Sequence, residues 1–117
     1  MLQSINPVNE DLIKEYEEHT NSEIDEIVKN SEKAFKEWQS FDYGKRAELL
    51  RTAGEILRKN IDQYSELMTR EMGKPISGAR AEVEKCAWVC DYYAENGESF
   101  LKYEVIETDA QKSFITY

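Results

Sequence analysis

The residues most able to do chemistry in this chain are few and badly spaced for it. Cys86 and Cys90 stand four residues apart, which places them on one face of a helix. There their Cα atoms sit near the upper limit for a disulfide and their side chains run roughly parallel. A zinc site needs two further ligands, and none lies nearby. The two are read as buried core thiols. His19 is the single histidine, with only Glu17 and Glu18 beside it, and reads as a surface residue preceding a helix cap. Glu82 and Glu84 are two apart, so they point to different faces of a helix and do not form a general acid–base pair. A solvated or salt-bridged role is expected for both. Gly73-Lys74-Pro75 echoes the end of a phosphate-binding loop, but the upstream glycine is missing and no Ser or Thr follows Lys74. A helix stop followed by a fixed helix start accounts for it. Trp38, Trp88, Tyr92 and Tyr93 fall at helical spacing and are read as core, not as an aromatic platform. No catalytic, cofactor-binding or metal-ligating residue is assigned.

Those residues sit in a chain of 117, enough for one domain or part of one. With 40% hydrophobic and 33% charged residues, it has the apolar surface a folded chain needs to offset its conformational entropy. The formal charge is −9, from 24 acidic and 15 basic side chains. That balance repels a phosphate backbone, so nucleic acid is excluded as a partner. No run of ~18 apolar residues is present, which argues against a membrane-spanning helix and a membrane partner. Met1 to Pro7 shows neither a basic nor an apolar leader segment, so a cytoplasmic setting is the default expectation.

The elements that position these residues follow from periodicity. Leu2 to Ile5 reads as a strand stopped by Asn6-Pro7. Asn9-Glu10-Asp11 is a polar turn, and Leu12 to Tyr16 is a second strand, together a hairpin. Thr20-Asn21-Ser22-Glu23 is a capping box. It opens a first helix over 21–39 with an apolar stripe of Ile24, Ile27, Val28, Ala34, Phe35 and Trp38. A second helix, capped by Ser40 or Asp42, runs to Gly73, with Asn60 as a local bend. Its expected buried stripe is Leu49, Leu50, Ala53, Ile56, Leu57, Ile61, Tyr64, Leu67 and Met68. Its solvent face carries Glu48, Arg51, Glu55, Arg58 and Lys59. A third helix runs from Pro75 or Ser77 to Asn96, with Gly97 as its stop, and is apolar enough in its second half to be buried on two sides. Val105-Ile106 and Ser113 to Tyr117 then read as strands either side of Asp109-Ala110-Gln111. The last of these breaks off in mid-pattern, and the chain is expected to be cut there.

Several phrases, in order, resemble the aldehyde dehydrogenase superfamily. They are Ile5-Asn6-Pro7, Ala34-Phe35-Lys36-Glu37-Trp38, Arg46-Ala47-Glu48-Leu49-Leu50-Arg51, and Glu71-Met72-Gly73-Lys74-Pro75. The segment from Ala81 to Asn96 is similar to the succinate-semialdehyde dehydrogenase branch. One departure is Asn9-Glu10, which stands where the family usually has a glycine in the first turn.

The resemblance implies an α/β fold of which only the N-terminal part is present: three long amphipathic helices flanked by short N- and C-terminal strands. Residues 1–101 would be the helical part of the cofactor-binding domain, with the hairpin at 1–18, and residues 102–117 would be strands leading into the oligomerisation domain. It further implies a parent enzyme that oxidises an aldehyde, succinate semialdehyde foremost, with NAD or NADP. In that chemistry a cysteine thiolate attacks the carbonyl, a hydride passes to the nicotinamide, and a glutamate-activated water hydrolyses the thioester. An oxyanion hole of an asparagine side chain and a backbone amide steadies the tetrahedral species. All of those positions fall later in the family, so this chain alone is expected to be inactive and to bind no cofactor. Ala81 and Lys85 would lie near the substrate-access tunnel, with Lys85 drawing in an acidic substrate or simply being a solvated lysine. Phe114, Ile115 and Tyr117 would lie on an oligomerisation strand of a homo-oligomeric parent and would promote self-association of this chain through its C-terminal edge. The alternative is a natural short interaction module that binds full-length subunits by strand pairing. A plain helical bundle of unrelated function is a third reading.

Overall fold

Asn6 turns the chain back on itself. Its side-chain Oδ1 accepts from the Val8 amide at 2.9 Å, its carbonyl accepts from Glu10 at 2.9 Å, and its own N–H reaches the Asp11 carbonyl at 2.9 Å. The computed structural model describes residues 1–117, and here it sets β1 (Leu2–Ile5) antiparallel to β2 (Leu12–Tyr16), pairing Leu2 with Tyr16 and Ile5 with Leu12. The register shifts between Ser4 and Ile5. Glu10 holds φ 63°, a left-handed conformation that costs a non-glycine residue on the order of 1 kcal/mol. The turn that a glycine would make without strain is therefore made by Glu10, with Asn9 Oδ1 accepting from the Asp11 amide to support it.

The capping box forms as the sequence predicts. The Thr20 hydroxyl accepts from the Glu23 amide, the Glu23 carboxylate accepts from the Thr20 amide at 2.7 Å, and α1 runs Asn21–Gln39. Asp42 then caps α2 (Tyr43–Lys59), its carboxylate accepting from the Lys45 amide at 2.7 Å. The single second helix of the sequence reading is two helices. Asn60 sits at φ −110°, ψ 24°, and its side-chain amide donates to the Ile56 carbonyl at 2.8 Å, competing with the backbone ladder. A new helix, α3 (Ile61–Met72), begins at the next residue. Gly73 ends it at φ 68°, the conformation for which glycine is suited.

Pro75 precedes α4 (Ile76–Phe100), which runs straight through Gly97 and four residues past the predicted end. Gly97 keeps a helical backbone, Asn96 and Ser99 tie their side chains to the Tyr92 and Asn96 carbonyls, and Phe100 places its ring 6.0 Å from Tyr92. The apolar pattern thus continues for one more turn and outweighs the low helix propensity of a single glycine. Beyond it, β3 (Glu104–Val105) pairs antiparallel with β4 (Phe114–Ile115), each in register with the other and with no further strand on either side.

α2 and α3 both pack on α4, and the only six buried residues of the chain lie in that contact: Gly54, Ser65, Ala79, Val83, Ala87 and Ala94. They are small, so the backbones approach closely and the interface is narrow. Larger members of the predicted stripes lie outside it. Ile56 is 47% exposed, Leu67 46% and Leu49 39%, and α1 has no buried residue. The molecule measures 68 × 41 × 24 Å with a radius of gyration of 20.8 Å. A compact chain of this length has about 13 Å. Helices with one apolar face need a second layer to cover it, and within these residues only the strip where α2 and α3 meet α4 is covered.

Candidate functional site

The first half of α4 carries the two residues that the sequence marks for substrate access. Ala81 and Lys85 are one turn apart on the same face and both exposed. With Glu82, Cys86 and Val89 they line an open groove of about 590 Å³. One helix alone lines this space, and solvent enters from the other sides.

Charges around the groove are settled by partners on neighbouring turns and helices. Glu82 pairs with Lys74, which reaches back from the link before α4. Glu84 faces the other way and accepts from Arg58 Nε at 3.0 Å, while Asp91 binds the same guanidinium through Nη2 at 2.7 Å. Glu82 and Glu84 are thus salt-bridged on separate faces. Arg58, read from the sequence as part of the solvent face of α2, instead bridges α2 to α4. The hydrogen bonds it donates to Asp91 and then to Glu84 raise its pKa above the ordinary guanidinium value. Asp91 drew no attention in the sequence, although its spacing of seven from Glu84 marks one helix face. Lys85 has neither ion pair nor side-chain hydrogen bond. Its ammonium is the uncommitted positive charge of the groove.

The thiols correct the sequence reading. Cys86 is exposed and Cys90 half-buried, and both are free. Cys90 lies at the edge of the α2 contact, with its Cβ close to Gly54, while no other element of the chain covers Cys86. The aromatic residues are corrected for the same reason. Trp88 is 58% exposed, Tyr93 53% and Trp38 43%, with Tyr92 also exposed. Trp88, Tyr92, Tyr93 and Phe100 stack along α4 at centroid separations of 5.4 to 6.0 Å. His19 lies on the surface with Nδ1 4.0 Å from Glu23, as the sequence indicates. At the far end of the molecule Phe114 and Ile115 occupy β4, each about half exposed, and Tyr117 is more exposed still. Phe114 meets the Tyr103 ring at 5.5 Å. Neither group shares a pocket with Lys85.

Chemically the arrangement presents a cation beside an apolar groove and nothing that activates a nucleophile. Cys86 has no histidine within its helix or the helices packed on it, and no group of three or more His, Cys, Asp or Glu side chains comes together. The Gly73 amide donates to the Thr69 carbonyl at 2.9 Å and the Lys74 ammonium is bound to Glu82, so Gly73-Lys74 closes a helix end and is not arranged as a phosphate cradle. No helix is long and apolar enough to cross a membrane.

Comparison with known proteins gives a consistent result. The family model described as the aldehyde dehydrogenase family matches residues 1–117. Among curated relatives, the chain is 38% identical over 114 residues to a Synechocystis protein named "Probable succinate-semialdehyde dehydrogenase", NADP(+) form. It is 37% identical over 114 residues to the Escherichia coli succinate semialdehyde dehydrogenase Sad, NAD(P)+ form. Each alignment covers 97% of this chain and 25% of the relative, so the chain spans about a quarter of the length of the curated relatives it matches. Among solved structures, succinic semialdehyde dehydrogenase from Streptococcus pyogenes in complex with NADP+ superposes with a TM-score of 0.89 at 30% identity. The superposition covers 97% of this chain and 25% of that one. A structure of Gox0499 superposes at 0.92 with 25% identity and the same coverage.

Proposed function

Because the chain belongs to the aldehyde dehydrogenase family, we propose that its residues are the N-terminal scaffold of an NAD(P)-dependent enzyme that oxidises an aldehyde, succinate semialdehyde foremost, to the carboxylic acid. The observation that carries this reading is the 38% identity, over 97% of the chain, to a relative named for that substrate. The free ammonium of Lys85 in an apolar groove supports it, because a semialdehyde carboxylate needs a cation on its approach. The work of the chain itself is mechanical. The α2–α4 contact at Gly54 and Ala87, with the Arg58 bridge, holds α4 rigid so that Ala81 and Lys85 keep a fixed place. The nicotinamide cofactor supplies hydride acceptance in such an enzyme, and residues outside this chain would hold it. The 117 residues alone are accordingly inactive, and the setting is cytoplasmic.

The test uses succinate semialdehyde with NAD and, separately, NADP. The purified chain is expected to give no reduced nucleotide; a signal that tracks the chain through purification overturns the inactivity. The polypeptide encoded by the complete reading frame is expected to turn over. In it, Lys85→Glu should raise KM severalfold for succinate semialdehyde and leave that for butanal, which lacks the carboxylate, unchanged. An equal effect on both aldehydes would show that Lys85 has no part in substrate approach.

The C-terminal strand supports an oligomeric parent. β4 has an unpaired outer edge with Phe114 and Ile115 exposed on it, the arrangement that takes up another strand. The same edge favours a second reading, in which the chain acts by itself as an interaction module on full-length subunits or on its own copies. Co-elution with the full-length enzyme, lost in Ile115→Pro, supports that reading; separate elution removes it.

A further inference from the structure

The chain turns from α1 to α2 through Ser40, Phe41 and Asp42, and one side chain from beyond the turn closes it. Arg46, in the first turn of α2, sends Nη2 back to the carbonyls of Trp38 and Gln39 at 3.3 and 3.4 Å. Its guanidinium lies 5.8 Å from the centroid of the Trp38 ring and 5.6 Å from that of Tyr43, and Trp38 in turn packs on Phe41 at 5.8 Å. Arg46 Nε is buried with no acceptor. The two carbonyls belong to the last turn of α1, where the helix dipole is negative; that of Trp38 also accepts from the Phe41 amide at 3.2 Å.

Apart from Arg46 and the packing of Trp38 at its C-terminal end, no side chain of another element holds α1. It has no buried residue, and every other hydrogen bond or ion pair of its side chains stays within α1 or its own caps. We propose that Arg46 is a latch that fixes the angle between α1 and α2, and so the direction in which α1 presents Ile24, Ile27, Val28 and Phe35. It is a positioning residue acting through Trp38. Its hold comes mainly from hydrogen bonds to neutral carbonyls and from aromatic faces, with no carboxylate engaged, so added salt weakens it far less than it would an ion pair. A lysine keeps the charge but has no planar group to lie between two rings while reaching two carbonyls.

The test uses the 117-residue chain with Cys86→Ser and Cys90→Ser, spin-labelled at Lys29→Cys and Glu55→Cys on exposed positions of α1 and α2. Pulsed electron resonance is expected to give one narrow distance distribution, unchanged between low and high salt. Arg46→Gln should broaden it about twofold or more, and Arg46→Lys should broaden it almost as far. The helical circular dichroism and the urea midpoint of the α2–α4 pair should stay at parental values in both variants. A broad distribution in the parent, an unchanged width in Arg46→Gln, or full retention in Arg46→Lys overturns the latch. Loss of the α2–α4 midpoint in step with the broadening also overturns it, because Arg46 would then support the fold generally instead of setting the elbow.

Discussion

Exchanging glycine for alanine should have opposite effects at two helical positions in this chain. A Cβ on Gly54 would stand 3.1 Å from the Ala87 carbonyl oxygen, 3.2 Å from Asp91 Oδ1 and 3.4 Å from Cys90 Cβ. The first of these is backbone in the middle of α4, and the second belongs to a carboxylate that Arg58 holds through its other oxygen, Oδ2, so neither yields cheaply. Alanine gains about 1 kcal/mol over glycine in a helix interior. Overpacking a close contact costs about 1–3 kcal/mol. With three tight contacts the loss falls towards the upper part of that range, and Gly54→Ala should end about 1 kcal/mol less stable. Gly54→Val carries two more methyl groups into the same space and gains less propensity, so its loss should be about 3 kcal/mol. At Gly97 a Cβ meets nothing within 4 Å, and Gly97→Ala should be about 1 kcal/mol more stable. Urea unfolding followed by circular dichroism ranks the four proteins. The expected order is Gly97→Ala, parent, Gly54→Ala, Gly54→Val. If Gly54→Ala gains as much as Gly97→Ala, then α2 and α4 are not in backbone contact at this point and the packing argument fails.

Four further outcomes can be checked with standard measurements. Thr20→Ala should weaken α1 by about 1 kcal/mol, seen as lost helical signal from that segment. Glu23 has its pKa lowered from 4.5 by the Thr20 backbone N–H first and the Thr20 hydroxyl second, so its contribution is complete above that value and drains as pH falls through the lower folded-state value. Helicity of α1 should therefore drop on acidification below 4.5, and Glu23→Gln should remove that part of the pH dependence. Cys86, exposed, should react with a maleimide severalfold faster than half-buried Cys90, read by mass spectrometry of the modified peptides; equal rates would place both thiols in one environment. A double-mutant cycle of Arg58→Gln and Asp91→Asn should give a small favourable coupling that shrinks with added salt, since both side chains are about a third exposed; a coupling indifferent to salt would mean the pair is shielded from solvent.

Local elements were legible because local chemistry specifies them. Thr20 and Glu23 mark the start of α1, Asp42 the start of α2 and Gly73 the end of α3, each through a side chain or a backbone conformation that acts within four residues. Asn60 was legible as a bend but not as a complete helix break, because a lone Asn in a helical pattern does not reveal whether its amide turns onto the Ile56 carbonyl or out to solvent. Gly97 misled for the opposite reason: it reads as a stop, and the apolar face running on to Phe100 outweighed it. Ala81 and Lys85 were singled out through the family resemblance and not by periodicity; the structure places both on exposed positions of α4, one turn apart. Arg58 was placed wrongly, since periodicity assigns a face but does not show which neighbour lies across it.

The succession of hairpin, helices and terminal strands, and the family to which the chain belongs, were determined by the residues in their order. Capping, left-handed turns and amphipathic period act over a few positions and leave their mark in the sequence. Which apolar faces are covered was decided only in three dimensions. The stripes of α1 and α4 read alike as core, yet Ala87 is fully buried while Trp38 and Trp88 stand in solvent. Burial depends on a second surface arriving from elsewhere in the chain, and the periodicity of one helix carries no information about whether that surface arrives.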